Sequence, residues 1–215
     1  QLALLIVNFF LITIISRVYG AEVYGEYASS KSLSVLIGTA AVMSIALVVT
    51  KMLAQNSLNS KELFQNAYSL IIRNLSLALI ILIPITLLFN RNLSMTVLFL
   101  FGFIFNEMIH IALAYYQAKG DFVTSSKQIF LRTIIYGAGA WVLVLQGFSI
   151  VSIIIFQVVT LASFFIVAHM SIPKKDINFS FESKKNIKNE IHGSGKKMVL
   201  TTFSSALISE LDIVL

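Results

Sequence analysis

The stretch Ile150–Met170, IVSIIIFQVVTLASFFIVAHM, contains no aspartate, glutamate, lysine or arginine. About 20 consecutive apolar residues allow an α-helix to cross the ~30 Å hydrocarbon core of a bilayer. No water reaches the backbone there, so its N–H and C=O groups must bond within a helix or a closed barrel. The apolar run is continuous rather than alternating, which favours a helix over a barrel strand. We therefore predict that this stretch is a transmembrane helix.

The composition of the whole chain points the same way. Of its 215 residues, 57% are apolar and 12% are charged, and the mean hydropathy is +0.87. Soluble domains carry about 25% charged residues, so a soluble globular domain is excluded. The chain contains no cysteine, which rules out disulfides and thiolate metal sites.

Further apolar runs occur along the chain. We predict an all-α, polytopic transmembrane helical bundle of six helices plus the start of a seventh, at residues 1–16, 32–50, 68–89, 93–115, 129–146, 150–170 and from about Met198 onward. Both ends of the sequence fall inside apolar runs, so we expect the first and seventh helices to be truncated. Residues 171–195 are charged and poor in apolar side chains, which is typical of a linker.

The basic residues predict the orientation of these helices. The loops after helices one, three and five hold only Arg17, Lys31 and Arg91, whereas the other 13 of the 16 basic residues flank the even-numbered loops. Cytoplasmic loops carry the excess of lysine and arginine. The even-numbered loops, the basic linker and the N-terminus are therefore predicted to be cytoplasmic. This distribution explains the net charge of +6 without nucleic acid.

Two ionisable residues lie inside the fourth apolar run. Glu107 and His110 are three positions apart, which places them on one helix face, and Asn106 adjoins them. Ionisable groups inside a membrane are energetically costly unless they face a cavity or a partner. Glu107 and His110 are thus candidates for a cavity, and a buried structural pair is the alternative.

Four other charged residues have similar positions. Arg73 and Arg132 lie inside the third and fifth runs, where each either faces a cavity or extends its side chain to the cytoplasmic interface. Glu210 and Asp212 lie in the seventh run. Because their positions differ by about 200° around a helix axis, they cannot both face one cavity unless that helix is broken.

No arrangement typical of an enzyme stands out in the sequence. The three histidines are far apart and lack metal-ligand spacing, and no Ser/His/Asp set or paired carboxylates suggest hydrolysis. We therefore expect neither enzymatic activity nor a cofactor.

Three segments resemble the bacterial polysaccharide flippases, which export lipid-linked O-antigen and capsule repeat units. Residues 16–27, SRVYGAEVYGEY, resemble a signature in which an arginine ends the first helix and a glycine follows. A Gly-x-Tyr then opens the second helix. The turn at 114–122 and the LDIVL at 211–215 are also similar to that family. The matching positions of the signature are Arg17, Gly20, Gly25 and Tyr27.

The resemblance implies a two-lobe fold of the multidrug/oligosaccharidyl-lipid/polysaccharide exporter superfamily. Residues 1–170 would form the N-terminal six-helix lobe, 171–195 the cytoplasmic linker, and 196–215 the start of the second lobe. The protein would then lie in the bacterial inner membrane and contact membrane lipids and other polysaccharide assembly proteins.

The resemblance also implies a function and roles for particular residues. The protein would move undecaprenyl-diphosphate-linked oligosaccharide across the membrane by alternating access. Alternatives are a cation-coupled multidrug exporter of the same fold and, from another class, a membrane-embedded polymerase or acyltransferase. Candidate residues for the substrate cavity are Arg17, Arg73, Glu107, His110 and Arg132, and those for ion coupling are Glu210 and Asp212.

The predicted topology can be tested with single cysteines. Ser57→Cys and Ser183→Cys should react only with membrane-permeant thiol reagents in intact cells, because both lie on the basic side. Asn92→Cys should react with impermeant reagents as well, and no native cysteine interferes. Labelling of position 183 by an impermeant reagent would contradict the orientation.

Overall fold

The computed structural model describes residues 2–42, 44–55, 59–89, 91–174, 176 and 185–214. Within these ranges the chain is α-helical apart from short turns. The helices are α1 (Leu2–Val42), α2 (Ile45–Ala54), α3 (Ser60–Leu88), α4 (Leu93–Ala118), α5 (Phe122–Leu145), α6 (Ile150–Met170) and α7 (Lys185–Val214). The predicted all-α class is therefore confirmed for the part of the chain that is described.

Four of these helices, α3 to α6, are long and apolar enough to cross a membrane. A fifth span passes the same test when Phe9–Val42 and α2 are joined across a bend of 41°. The chain is accordingly a helical membrane protein. The predicted number of six spans exceeds the four or five that length and composition support, and it stays a prediction.

The chain reverses direction inside α1. Gly20 has φ 86° and ψ 167°, a conformation that glycine adopts readily and other residues do not. Val7 and Val35 line the same cavity, although a straight helix between them would be about 42 Å long. Residues 2–19 and 21–42 are therefore two antiparallel segments, which we call α1a and α1b.

Contacts with other helices show how these two segments lie. Gly137 faces Val7, and the Tyr19 hydroxyl donates to the carbonyl of Phe148, so α1a runs in the same direction as α5. The Ser34 hydroxyl donates to the carbonyl of Thr96 over 2.7 Å, which places α1b alongside α4. Central α4 packs against α1, α2, α3 and α6.

Several of the predicted boundaries are wrong. Helix α3 begins at Ser60 rather than near Tyr68, and α5 begins at Phe122 rather than near Ile129. Residues 17–31 form helix on both sides of Gly20 rather than a loop, and the predicted second span 32–50 is divided between α1b and α2. Hydropathy indicates where the chain leaves the bilayer, but it does not indicate where a helix ends. In this polar segment only Gly20 has a non-helical backbone conformation, so the chain is helical on both sides of it.

The start of the seventh helix is also corrected. Helix α7 begins at Lys185, before the predicted start near Met198, so the last part of the predicted linker is helical. Ile187 and Ile191 lie one turn apart and are buried in the cluster formed by α2, α3 and α4. An amphipathic turn of this kind has low hydropathy, which is why the apolar run alone missed it. Residues 177–184 of the linker lie outside the described ranges.

Close helix packing depends on small residues on α5. A Cβ added at Gly137 would lie 2.4 Å from Cγ1 of Val7, and one at Gly139 would lie 2.2 Å from Cζ of Phe156. Real side chains do not approach so closely, so α1a and α6 can reach α5 only because these positions lack a side chain.

Replacing Gly137 tests this packing. Gly137→Ala should lower the free energy of unfolding by about 1–3 kcal/mol, because the stiff Val7 side chain must move. Combining it with Val7→Ala should recover part of that loss. Thermal unfolding of the purified protein measures both effects.

Ala138 provides the control, because it is the exposed neighbour of Gly137. Ala138→Val should leave the unfolding temperature nearly unchanged. A loss in the double variant equal to the sum of the two single losses would contradict the proposed contact.

Candidate functional site

Arg132 is buried in the membrane-spanning part of the bundle. Only 8% of it is exposed, and its Nη1 donates to Oδ1 of Asn106 on α4 over 2.8 Å. The Nδ2 of Asn106 in turn lies 3.5 Å from Oε1 of Glu107. The side chain therefore does not extend to the interface, and of its two predicted roles only the one inside the bundle fits the structure.

Beside Arg132 lies a cavity of about 190 Å³, which we call the Arg132 cavity. Both segments of α1 contribute to its wall together with α4, α5 and α6. Its polar lining consists of Lys31, Asn106, Arg132, Thr133, Tyr136 and Gln157. Two of these side chains are basic and none is acidic, so the described lining favours an anion.

Lys31 is the residue that sequence reasoning missed. The sequence places it in an outward loop because it separates two apolar runs. In the structure it lies on α1b and lines the Arg132 cavity. The signal that could have identified it is a lysine close to the start of an apolar helix, at a depth where a cation needs a polar environment.

Glu107 and His110 line a second, larger cavity of about 480 Å³, the Glu107 cavity. Their predicted shared face is thus confirmed. Phe103 lines both cavities and lies between them along α4. On the far side, Ser44 and Thr202 share a hydrogen bond of 2.7 Å between their hydroxyls, so α7 contributes to the wall.

Comparison with known proteins adds no family to this geometry. No protein-family model, curated protein or solved structure matches the chain.

The other predicted residues lie elsewhere. Arg17 is exposed on α1a. Arg73 is exposed on α3, where its Nε and Nη2 both lie 3.3 Å from Oδ1 of Asn74, and it lines neither cavity. Glu210 and Asp212 belong to α7, but their side chains lie outside the described part of the structure. The structure therefore brings together Arg132, Glu107 and His110, and it separates them from Arg17 and Arg73.

A polar cluster at the end of α4 holds the chain segment after α6. The Tyr115 hydroxyl donates to Oδ2 of Asp176 over 2.8 Å, and Nζ of Lys119 donates to the same Tyr115 hydroxyl. That hydrogen bond is the main reason why the pKa of Lys119 is raised. Lys119 also lies 3.9 Å from Asp176. The predicted similarity at 114–122 thus falls on a turn that contacts the start of the linker.

No metal site is apparent in the described ranges, where no three His, Cys, Asp or Glu side chains are grouped to hold an ion. The described site combines a cavity lined by two basic side chains with an adjacent larger cavity that carries a carboxyl and an imidazole.

The role of Asn106 can be tested by stability. Asn106→Leu should lower the free energy of unfolding by about 2–3 kcal/mol, because it leaves the buried guanidinium of Arg132 without its amide partner. Asn106→Asp gives Arg132 a carboxylate as its acceptor, so the free energy of unfolding should fall much less. Thermal unfolding distinguishes the two.

Arg132→Met in the Asn106→Leu background serves as the companion variant. Without a buried charge, the double variant should be more stable than Asn106→Leu alone. Equal stability of Asn106→Leu and Asn106→Asp would show that the hydrogen bond contributes little.

Proposed function

We propose that this protein is a flippase that moves an undecaprenyl-diphosphate-linked oligosaccharide across the bacterial inner membrane for surface polysaccharide synthesis. The observation that carries the proposal is the buried Arg132, which lines a cavity together with Lys31. The resemblance of residues 16–27 to the polysaccharide flippases supports the same function.

The chemistry of the cavity suits a diphosphate. Arginine presents planar N–H donors that bind phosphate oxygens in pairs, and lysine adds a compact positive charge. Arg132 is buried and Lys31 is half-buried, so an anionic ligand between them would offset the repulsion of the two positive charges.

In this proposal the two parts of the substrate bind in different cavities, the diphosphate in the smaller one and the sugar in the larger one. The Arg132 cavity, of about 190 Å³, is the smaller of the two, and we assign it to the diphosphate. The Glu107 cavity of about 480 Å³ is larger and is also lined by His110 and Gln117. Carboxyl, imidazole and amide groups hydrogen-bond hydroxyls, as sugar recognition requires.

In this proposal the chain contributes one lobe of a two-lobe transporter. Residues 1–170 form the first lobe of six helices, with the N-terminus in the cytoplasm, and residues 196–215 start the second lobe. Transport occurs by alternating access between the lobes. Glu210 or Asp212 would couple it to an ion gradient.

A cation-coupled multidrug exporter is the second candidate. It is favoured by Glu107, which faces the larger of the two cavities and would attract a cationic drug rather than a phosphate. The two candidates make opposite demands on charge, because a flippase needs Arg132 and an exporter needs Glu107.

Genetic complementation tests the proposed function. Deleting the full-length gene should cause lipid-linked repeat units to accumulate on the cytoplasmic leaflet and surface polysaccharide to be lost. Arg132→Gln and Lys31→Gln should each restore polysaccharide at least about tenfold less well than the wild type, since a lost charged hydrogen bond reduces binding by this order. Labelled surface polysaccharide is the measurement.

Lys127→Gln is the matched control, because Lys127 is exposed on α5 and lines neither cavity. It should complement fully, and all variants should be compared at equal abundance in the membrane. A deletion strain that keeps its polysaccharide and becomes sensitive to cationic dyes would replace the flippase with the drug exporter. In that case Glu107→Gln should have the strongest defect.

A further inference from the structure

A third concave surface lies on the outside of the bundle, between α1b, α3 and α7. We call it the α3 groove, and it has a volume of about 360 Å³. Its apolar lining consists of Leu36, Ile37, Ala40, Ala41, Leu77, Ala78, Ile81 and Phe203, and its polar lining of Arg73, Asn74 and His192. Leu77 and Ile81 are 54% and 53% exposed, so the groove opens toward the surrounding lipid.

The polar side chains gather at one end of the groove. Ser69 and Arg73 are four residues apart on α3, and Lys188 and His192 are four residues apart on α7, so each pair shares one helix face. The Nζ of Lys188 donates to Oγ of Ser69 over 3.1 Å. This bond brings the two faces together, and it places Lys188 beside the end of the groove that Arg73 and His192 line.

The electrostatics at this end favour a negative charge. Burial lowers the pKa of Lys188, and the positive charge of Arg73 lowers it further. Arg73 and Lys188 are both cations, so they repel each other at this end of the groove. The Nε and Nη2 groups of Arg73 both donate to Oδ1 of Asn74, which is a neutral amide. An anion at this position would relieve the repulsion.

The length of the groove matches one leaflet of a bilayer. From Arg73 to Ile81, α3 rises about 12 Å, whereas half of the hydrocarbon core is about 15 Å thick. The cations lie at one end, where the basic residues of the loops also gather, and the lining beyond Asn74 along α3 is apolar. This order of charge followed by apolar surface is that of a phospholipid headgroup followed by its acyl chain.

We propose that the α3 groove binds an anionic phospholipid, whose phosphate is held by Arg73 beside Lys188 and whose acyl chain lies along Leu77 and Ile81. This role is separate from the proposed transport substrate, because the groove is lined by neither Arg132 nor Glu107. It also gives Arg73 a function outside the cavities.

Lipid binding to the purified full-length protein tests the proposal. In native mass spectrometry, phosphatidylglycerol should bind at least about fivefold more tightly than phosphatidylcholine with the same acyl chains, because each basic residue near a membrane surface contributes on this order. Arg73→Gln should remove most of this preference, and Arg73→Lys should retain part of it. Ala40→Phe should weaken the binding of both lipids, because the ring fills the apolar part of the groove.

Two control variants match these changes. Lys127→Gln removes a positive charge from an exposed position on α5, and Ser163→Phe adds a ring to an exposed position on α6. Both should leave lipid binding unchanged. Equal binding of the two lipids, or no effect of Ala40→Phe, would overturn the proposal. The absence of lipid binding to the full-length protein would also overturn it, because it would mean that another segment or a second copy of the chain occupies the groove. None of these results bears on polysaccharide export.

Discussion

Every backbone polar group inside the hydrocarbon core must find a partner within the protein, since an unsatisfied group there loses several kcal/mol. This constraint produces the helices, and it also governs the polar side chains they carry. The hydroxyls of Thr86 and Thr133 donate to carbonyls one turn earlier, over 2.7 and 2.9 Å. The amide of Asn74 donates to the carbonyl of Ala41 on α1b over 2.7 Å. These polar residues therefore either bond within their own helix or connect two helices.

The same constraint changes what holds the helices together. Lipid tails are as apolar as leucine, so burying apolar side chains between membrane helices yields little, and close contact matters more. Gly38 and Gly139 allow Phe103 and Phe156 to approach to distances that a Cβ would prevent. The hydrogen bond from Ser34 to the carbonyl of Thr96 adds a directional link between α1b and α4. Small residues and a few polar bonds thus determine which helix faces meet, and those faces create the cavities.

Much of this fold could be predicted from sequence because hydropathy reports depth directly. The runs that became α4, α5 and α6 are examples, and helical period alone placed Glu107 and His110 on one face. What could not be predicted depends on tertiary contacts. The sequence predicts that Lys31 lies in a loop. In the structure the chain reverses at Gly20, and Lys31 on α1b therefore lines a cavity together with residues of α5. The early start of α7 depends on the burial of Ile187 and Ile191 against other helices. Sequence period assigns a residue to a face, but not that face to a neighbour.

Arg73 and Arg132 show how much depends on which neighbour a helix face contacts. Each lies inside an apolar run, and each bonds an asparagine. The partner of Arg73 is the adjacent Asn74, so the bond is local and the guanidinium stays exposed. The partner of Arg132 is Asn106 on another helix, so the bond links α4 to α5 and buries the charge. A well-packed apolar side chain at a buried position is often as stable as a buried ion, or more so. Stability alone therefore gives no reason for an arginine at position 132, and a ligand with negative charge is the reason that we propose.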